Sequence, residues 1–410
     1  MAVNHIYAGY LSEKAQEKSN LKEIKQQTRH QPHIPHQMVE KNPLHHKHYT
    51  HVKDEKDADA IAWTFLNKDE FVKFPFKFPP LGEDEIRANI THTGLCHTDS
   101  LKGRSCWGPA NYPLTTGHEI IGVVSKVGKN VKDFKVGDRI AYGPIRTCCG
   151  ECIACKAGND SLCIGIPYAE RTVMGNYWGG YSTAIQQPAK FAFKLPENLP
   201  SDRAPPLMCA GITVFAPLAR FVKPGDKVAV IGIGGLGHLA VAFANKLGCH
   251  VTGFTSTLAK TEFIKKMGAH DVQSSSDVGE LEKLASKYNI VINTLSTANQ
   301  RMFGAYLNLT VPAGTFIQVG SPPIDEPFTI HASQILTKNL RIAGSFVGSR
   351  EETKAMLEFS ALHNILPLVE FFGFEDFPKA LDTLENGKPV FRCVVNVEDW
   401  SKKNGFYKEY

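Results

Sequence analysis

The run Lys227-Val-Ala-Val-Ile231 leads straight into Gly232-Ile-Gly234-Gly235-Leu236-Gly237, and apolar residues recur at Leu236, Leu239, Ala240, Phe243 and Leu247. That spacing gives a helix one buried face, so the segment reads as strand, tight turn and helix. A strand that feeds a helix packing back onto it is the building unit of a parallel, doubly wound sheet. Each glycine has a physical task. Gly232 permits the tight turn, Gly234 lets the backbone approach a pyrophosphate, and Gly237 allows close packing of helix on strand. The free N–H groups and positive end of the helix then face the phosphates. A lone G-x-G-x-x-G is weak and can be a purely structural turn. Its place between a strand and a helix is what makes it a dinucleotide signal.

The same rhythm continues through Val251–Phe254, Ile290–Asn293 and Phe316–Val319, short buried strands with helical stretches between them. The tip after the second strand selects the dinucleotide. An Asp or Glu there would bind the ribose 2′-hydroxyl of NAD. Phe254-Thr-Ser-Thr-Leu-Ala-Lys260 contains no acid. Thr255, Ser256, Thr257 and Lys260 suit a 2′-phosphate instead, through hydrogen bonds and charge. The expected cofactor is NADP.

From Asp57 to about Gly211 the pattern differs. Short strand-like runs such as Ile120–Val124 and Arg139–Tyr142 alternate with glycine turns, as in a β-rich unit. A helical stretch around Ala380–Glu385 and a strand over Phe391–Val397 follow near the C-terminal end, and no internal repeat is evident.

Five of the ten cysteines lie between Cys148 and Cys163. Cys149-x2-Cys152-x2-Cys155-x7-Cys163 can close a tetrahedral zinc shell from one short segment, which points to a structural metal. An iron–sulfur cluster is the competing use of four cysteines. Cys148 is an extra thiol beside the first ligand. Cys96-His-Thr98-Asp99, Gly117-His118-Glu119 and Cys209-Ala-Gly-Ile-Thr213 supply two thiols and an imidazole from separate places. Together they would leave a fourth position open, as catalytic zinc needs. Spacing alone does not bring them together, and a lone Cys209 reads equally well as core.

In order and spacing, these segments together with Gly179-Gly-Tyr-Ser182 and Gly344-Ser-Phe-Val-Gly-Ser349 resemble zinc-dependent medium-chain alcohol dehydrogenases, most closely the cinnamyl-alcohol dehydrogenase branch. The match runs from about Asp57 to Val397. The resemblance implies an α/β chain in which a GroES-like β-rich catalytic domain, residues 57–211 and 348–410, carries an inserted Rossmann NADP-binding domain, residues 212–347. It implies one catalytic zinc on Cys96, His118 and Cys209, with Glu119 as an alternating ligand, and one structural zinc on Cys149, Cys152, Cys155 and Cys163. Asp99 would orient a ligating imidazole. Thr98 would lie beside the reacting oxygen and pass its proton towards the cofactor ribose. Thr213, Thr294, Gly320 and Phe346 would join the glycine turn, Gly232 to Gly237, at the cofactor. The implied reaction is hydride transfer between NADP(H) and an alcohol/aldehyde pair, with aromatic or allylic aldehydes reduced and zinc as Lewis acid. A homodimer is implied as well. Many relatives carry a histidine five residues after the first zinc cysteine to extend the proton relay; Leu101 stands there in this chain.

Residues 1–56 fall outside the resemblance. They hold eight of the 16 histidines, nine Lys/Arg, six Asp/Glu and few large aliphatics. Composition favours a solvated, disordered extension. A polar helix over Leu11–Thr28, a docking arm for a protein partner, and metal binding by His45, His46 and His48 are the other readings. The docking arm carries the rival to an enzyme: a structural or assembly component that keeps a dehydrogenase fold. A net charge of +5, from 46 basic and 41 acidic side chains, gives no strong field for nucleic acid. The longest apolar stretch, Val228–Ala244, holds four glycines and His238 and falls short of a membrane span. No signal peptide is expected, acidic residues interrupt any presequence pattern, and the expected location is the cytoplasm.

Overall fold

The computed structural model describes residues 49–173, 178–296, 300–321, 327–386 and 391–408. The helix expected over Leu11–Thr28 and the histidines His45, His46 and His48 lie outside the described residues.

Folded structure begins ahead of the expected boundary at Asp57. Strand β1 (Thr50–His51) pairs antiparallel with β3 (Phe71–Lys77), which also pairs with β2 (Ala60–Phe65). The cause is aromatic: the Tyr49 ring stacks on Trp178 at 5.0 Å and meets Phe76 edge-on at 5.2 Å. Those contacts tie the chain to the sheet where composition alone suggested solvent.

A seven-stranded sheet has the order β15-β16-β4-β5-β6-β8, with β7 also paired to β4. Its first members are β4 (Glu85–Leu95), β5 (Glu119–Val127), β6 (Arg139–Tyr142), β7 (Ala184–Pro188) and β8 (Ala192–Lys194). Helix α1 (His97–Gly103) follows β4 directly. The last two, β15 (Val369–Gly373) and β16 (Arg392–Asn396), come from the far end of the chain, and β16 pairs antiparallel with β4. Two chain segments therefore build one sheet.

Between them, α2 (Ala210–Phe221) leads to a six-stranded, wholly parallel sheet of order β11-β10-β9-β12-β13-β14. Its strands are β9 (Lys227–Ile231), β10 (His250–Thr255), β11 (Asp271–Ser274), β12 (Tyr288–Asn293), β13 (Thr310–Gln318) and β14 (Arg341–Gly344). Helices α3 (Gly237–Lys246), α4 (Thr261–Lys266) and α5 (Arg350–His363) flank it in sequence. Val228–Ile231 and Val291–Ile292 are fully buried, as strands covered on both faces must be. The switch point lies between β9 and β12, where the strand order reverses, and the glycine turn follows β9 there. Among the described residues no helix is long and apolar enough to cross a membrane.

Candidate active site and metal centres

The site grows from the pairing of β4 with β5. Gly94 faces Glu119 in that register, and a Cβ at residue 94 would collide with the Glu119 carboxylate. Glycine there leaves the carboxylate room to lie over the neighbouring strand. Cys96 then leaves the end of β4 and His118 enters β5, so the two side chains share one end of the sheet. Cys209 arrives from the turn before α2. One ligand atom from each of Cys96, His118, Glu119 and Cys209 lies within 4.8 Å of all the others.

Asp99 organises this cluster. It has no exposed surface. One carboxylate oxygen, Oδ1, accepts from the Gly117 N–H at 2.8 Å and lies 2.9 Å from His118 Nδ1. The other, Oδ2, accepts from the Tyr181 hydroxyl at 3.0 Å and the Cys96 N–H at 3.2 Å. Holding Nδ1 as donor leaves the second ring nitrogen as a lone-pair ligand. Burial disfavours a charged His118 ring, but the charge and hydrogen bond of Asp99 and the contact with Cys96 together outweigh it and hold the His118 pKa well above its ordinary value. Cys96 is held well below the usual thiol value and Cys209 well above it, each chiefly through their mutual contact.

Glu119 is fully buried, paired with Arg392, and pushed up to about 7 by desolvation. Its Oε2 and the Nε of Arg392 have no hydrogen-bond partner among the described residues. The donor set fits zinc: two sulfurs, an imidazole and an under-satisfied carboxylate converge. The Cys96 and Cys209 sulfurs are 4.0 Å apart, close to the edge of about 3.8 Å that Zn–S bonds of about 2.3 Å set in a tetrahedron.

The second cluster answers the same test. Cys149, Cys152, Cys155 and Cys163 bring four sulfurs within 4.8 Å of one another. Individual separations of 3.5, 3.9 and 4.0 Å bracket the same tetrahedral edge. The backbone N–H of Cys152 donates to the Cys149 sulfur at 3.3 Å, and Gly165 gives that sulfur space a side chain would fill. Cys148 is buried outside the cluster.

Of the expected cofactor positions, Gly232, Gly237, Thr294 and Gly320 come together around one turn. Gly232 has a φ of +86°, the left-handed value its turn requires. A Cβ at residue 237 would strike the Gly232 carbonyl, whereas one at residue 234 would meet nothing within 4 Å. The first is a packing glycine and the second faces open space, the division of labour expected for a phosphate turn. Leu236 caps α3. The Thr294 hydroxyl lies 2.7 Å from the Gly232 carbonyl oxygen and 3.0 Å from that of Ile231. Gly320 packs against the Leu295 carbonyl. The Thr213 N–H donates to Cys209 O at 3.0 Å, and the half-exposed Phe346 ring faces Tyr168. Thr98 occupies the first turn of α1, beside Asp99. At the tip of β10, Ser256, Thr257 and Lys260 are exposed. Thr255 is buried, and its hydroxyl bonds the Thr257 backbone, so it shapes the loop from within.

Sequence patterns missed three contributors: Arg392, Tyr181 and His238. Tyr181 sits in the Gly179–Ser182 segment, whose tight glycines were the available signal. Arg392 reaches the site only through strand pairing, whereas His238 bonds Gly234 within the turn itself and Leu368 from far along the chain.

Residues 82–197 match the alcohol dehydrogenase GroES-like domain, and residues 235–361 match the zinc-binding dehydrogenase family. An aldehyde reductase of Synechocystis sp. is 36% identical over 326 residues, 78% of this chain and 94% of that protein. The chain belongs to the zinc-binding alcohol dehydrogenases. Among solved structures, a cinnamyl alcohol dehydrogenase of Sorghum bicolor superposes with a TM-score of 0.77 at 31% identity, covering 83% of this chain and 98% of that one. The Helicobacter pylori cinnamyl alcohol dehydrogenase complexed with NADP(H) gives 0.76 at 29%, covering 86% and 99%. These likenesses place the chain in the cinnamyl-alcohol-dehydrogenase-like branch of the medium-chain alcohol dehydrogenases. As a zinc-binding alcohol dehydrogenase it is an oxidoreductase that moves hydride between a cofactor and an alcohol/aldehyde pair.

Proposed function

We propose that the protein reduces aldehydes with NADPH, aromatic or allylic aldehydes being the substrate class. Cys96, His118 and Cys209 would hold the catalytic zinc, with Glu119 as the alternating ligand. Cys149, Cys152, Cys155 and Cys163 would hold a structural one. The observation that carries this is the Asp99-centred cluster, which aims two sulfurs and an oriented imidazole at one point. Zinc there supplies Lewis acidity to a carbonyl oxygen, and the nicotinamide supplies the hydride.

The remaining work belongs to the chain. Asp99 fixes the His118 ring; Thr98, next in sequence, offers a hydroxyl along which the proton the product needs can pass towards the cofactor ribose. Leu101 cannot extend that route to solvent. Gly232, Gly234, Gly235, Leu236 and Gly237 bring backbone N–H groups and the α3 N-terminus to the pyrophosphate. Thr213, Thr294, Gly320 and Phe346 complete the cofactor walls. Ser256, Thr257 and Lys260 bind the 2′-phosphate on a loop that Thr255 braces. A cytoplasmic homodimer is the proposed form. Cys96→Ser should abolish turnover and lower bound zinc from two to one per chain by elemental analysis. Unchanged activity with NADPH and a panel of aldehydes, or equal rates with NADH, would overturn the proposal.

A further inference from the structure

Phe391 is the residue before Arg392 at the start of β16, and its φ is +69°. A bulky aromatic side chain rarely takes that left-handed conformation, so the local backbone is held there against its own preference. Three contacts account for where the ring is held. It stacks on Phe263 of α4, with centroids 5.4 Å apart and planes 6° from parallel. It lies 5.0 Å from the ring of His238, which closes the glycine turn. The ammonium of Lys260 sits over it, 5.6 Å from the centroid, within the range in which a cation is drawn to an aromatic face.

Lys260 is the only cation in the acid-free tip from Phe254 to Lys260. It forms no ion pair among the described residues. A lysine side chain carries four rotatable bonds and is a poor fixed point charge unless something confines it. The loop bearing Lys260 comes from the parallel sheet, whereas Phe391 comes from the chain segment that completes the seven-stranded sheet. The Phe391 carbonyl also lies 3.1 Å from where a Cβ on Gly235 would sit. One residue of the catalytic domain thus touches both the pyrophosphate turn and the 2′-phosphate loop.

We propose that Phe391 is a positioning residue for cofactor selection: its strained, stacked ring confines the Lys260 ammonium at the rim of the glycine turn and so sets the preference for a 2′-phosphate. This rests on the NADP reading above. Phe391 touches no reacting atom and acts through Lys260 alone.

The test is equilibrium binding to the full-length enzyme, by calorimetry, with adenosine 2′,5′-bisphosphate and 5′-AMP as probes that differ only in the 2′-phosphate. Phe391→Gly deletes the ring while suiting the left-handed backbone, and Phe391→Tyr keeps an aromatic face. Phe391→Gly should weaken the bisphosphate by about two- to fivefold and leave 5′-AMP unchanged, whereas Phe391→Tyr should bind both like the native protein. In a Lys260→Met background, Phe391→Gly should cost nothing further, because the partner it positions is gone. Equal weakening of both probes, no weakening of either, or an undiminished loss in the Lys260→Met background would overturn the inference. A native enzyme that binds 5′-AMP as tightly as the bisphosphate would overturn the NADP reading itself, a result separate from any outcome with the variants.

Discussion

Asp99→Asn isolates what a single buried negative charge contributes to the metal cluster. Asp99 accepts from Gly117 and His118 on one oxygen and from Cys96 and Tyr181 on the other, at 2.8 to 3.2 Å, with no exposure to water. Asparagine has nearly the same shape but only one acceptor oxygen. Placed at the Oδ1 position, that oxygen still serves Gly117 and His118. The amide nitrogen then meets the Cys96 N–H donor to donor, while the Tyr181 hydroxyl can turn and accept. The opposite amide orientation is worse, since it opposes both the Gly117 N–H and the imidazole. One buried N–H left unpaired costs about 1–3 kcal/mol. Loss of charge assistance at the imidazole costs about 1 kcal/mol more. The total, about 2–4 kcal/mol, divides between folding and metal retention.

Loss of such an orienting partner ordinarily weakens metal binding about 10- to 100-fold, which agrees with that sum. Chelator competition read by elemental analysis should therefore show zinc leaving the Cys96–His118–Cys209 centre about 10- to 100-fold more readily. The four-cysteine centre, which Asp99 does not touch, should hold its metal as before, and the urea midpoint should fall modestly. An Asp99→Asn protein that retains both metals with native affinity and unfolds at the native midpoint would refute the reasoning.

Two further outcomes are expected. His238 is buried with Nδ1 2.9 Å from the Gly234 carbonyl and Nε2 accepting from the Leu368 N–H, and desolvation pushes its pKa from 6.5 down to about 4. The unfolded chain takes up this proton first, so stability is intact above about pH 6.5 and falls by about 3 kcal/mol as the pH drops towards 4. Urea midpoints against pH should show that decline, flattened in His238→Gln, and equal slopes for the two proteins would exclude it. For the glycine turn, Gly234→Ala should fold normally yet bind NADPH at least tenfold more weakly, whereas Gly237→Ala should unfold earlier because its methyl meets the Gly232 carbonyl; calorimetry and thermal melts separate the two.

Features written into short stretches of chain could be read directly. The turn Gly232–Gly237 sits between the strand and helix that its composition demands, and β9, β10 and β12 fall on the apolar runs assigned to them, whereas β13 begins at Thr310, well ahead of the expected Phe316. The four-cysteine cluster closes within one segment, so its spacing was sufficient. The site of Cys96, His118 and Cys209 is different. Its members meet only because Gly94 registers with Glu119 across two strands and α2 begins at the right place, and periodicity carries no register between distant strands. The resemblance to medium-chain alcohol dehydrogenases, in the order of these motifs, carries that link. The boundary at Asp57 failed for a related reason: Tyr49 and Thr50 look like tail in a window of charged neighbours, and their partners Trp178 and Lys77 lie elsewhere in the chain.

Arg392 shows most clearly what escapes a linear reading. Phe391-Arg392-Cys393 looks like the entry to an ordinary strand, where a cation would face solvent. Pairing of Cys393 with Leu95, and of Gly94 with Glu119, instead carries the guanidinium into the interior beside the Glu119 carboxylate. Burying such a pair removes both charges from water, and their attraction recovers that cost only when the remaining donors and acceptors are also satisfied. Here they are not, since Glu119 Oε2 and Arg392 Nε find no protein partner among the described residues. Under-satisfied buried charge is tolerated where it serves a site rather than the core. The surroundings fit that reading. Glu119 borders the Cys96–His118–Cys209 cluster, and the Arg392 side chain lies 2.9 Å from where a Cβ on Gly235 would be. A single ion pair therefore spans from the proposed metal ligands to the glycine turn, so the spacing of these two clusters is held by charge as well as by packing.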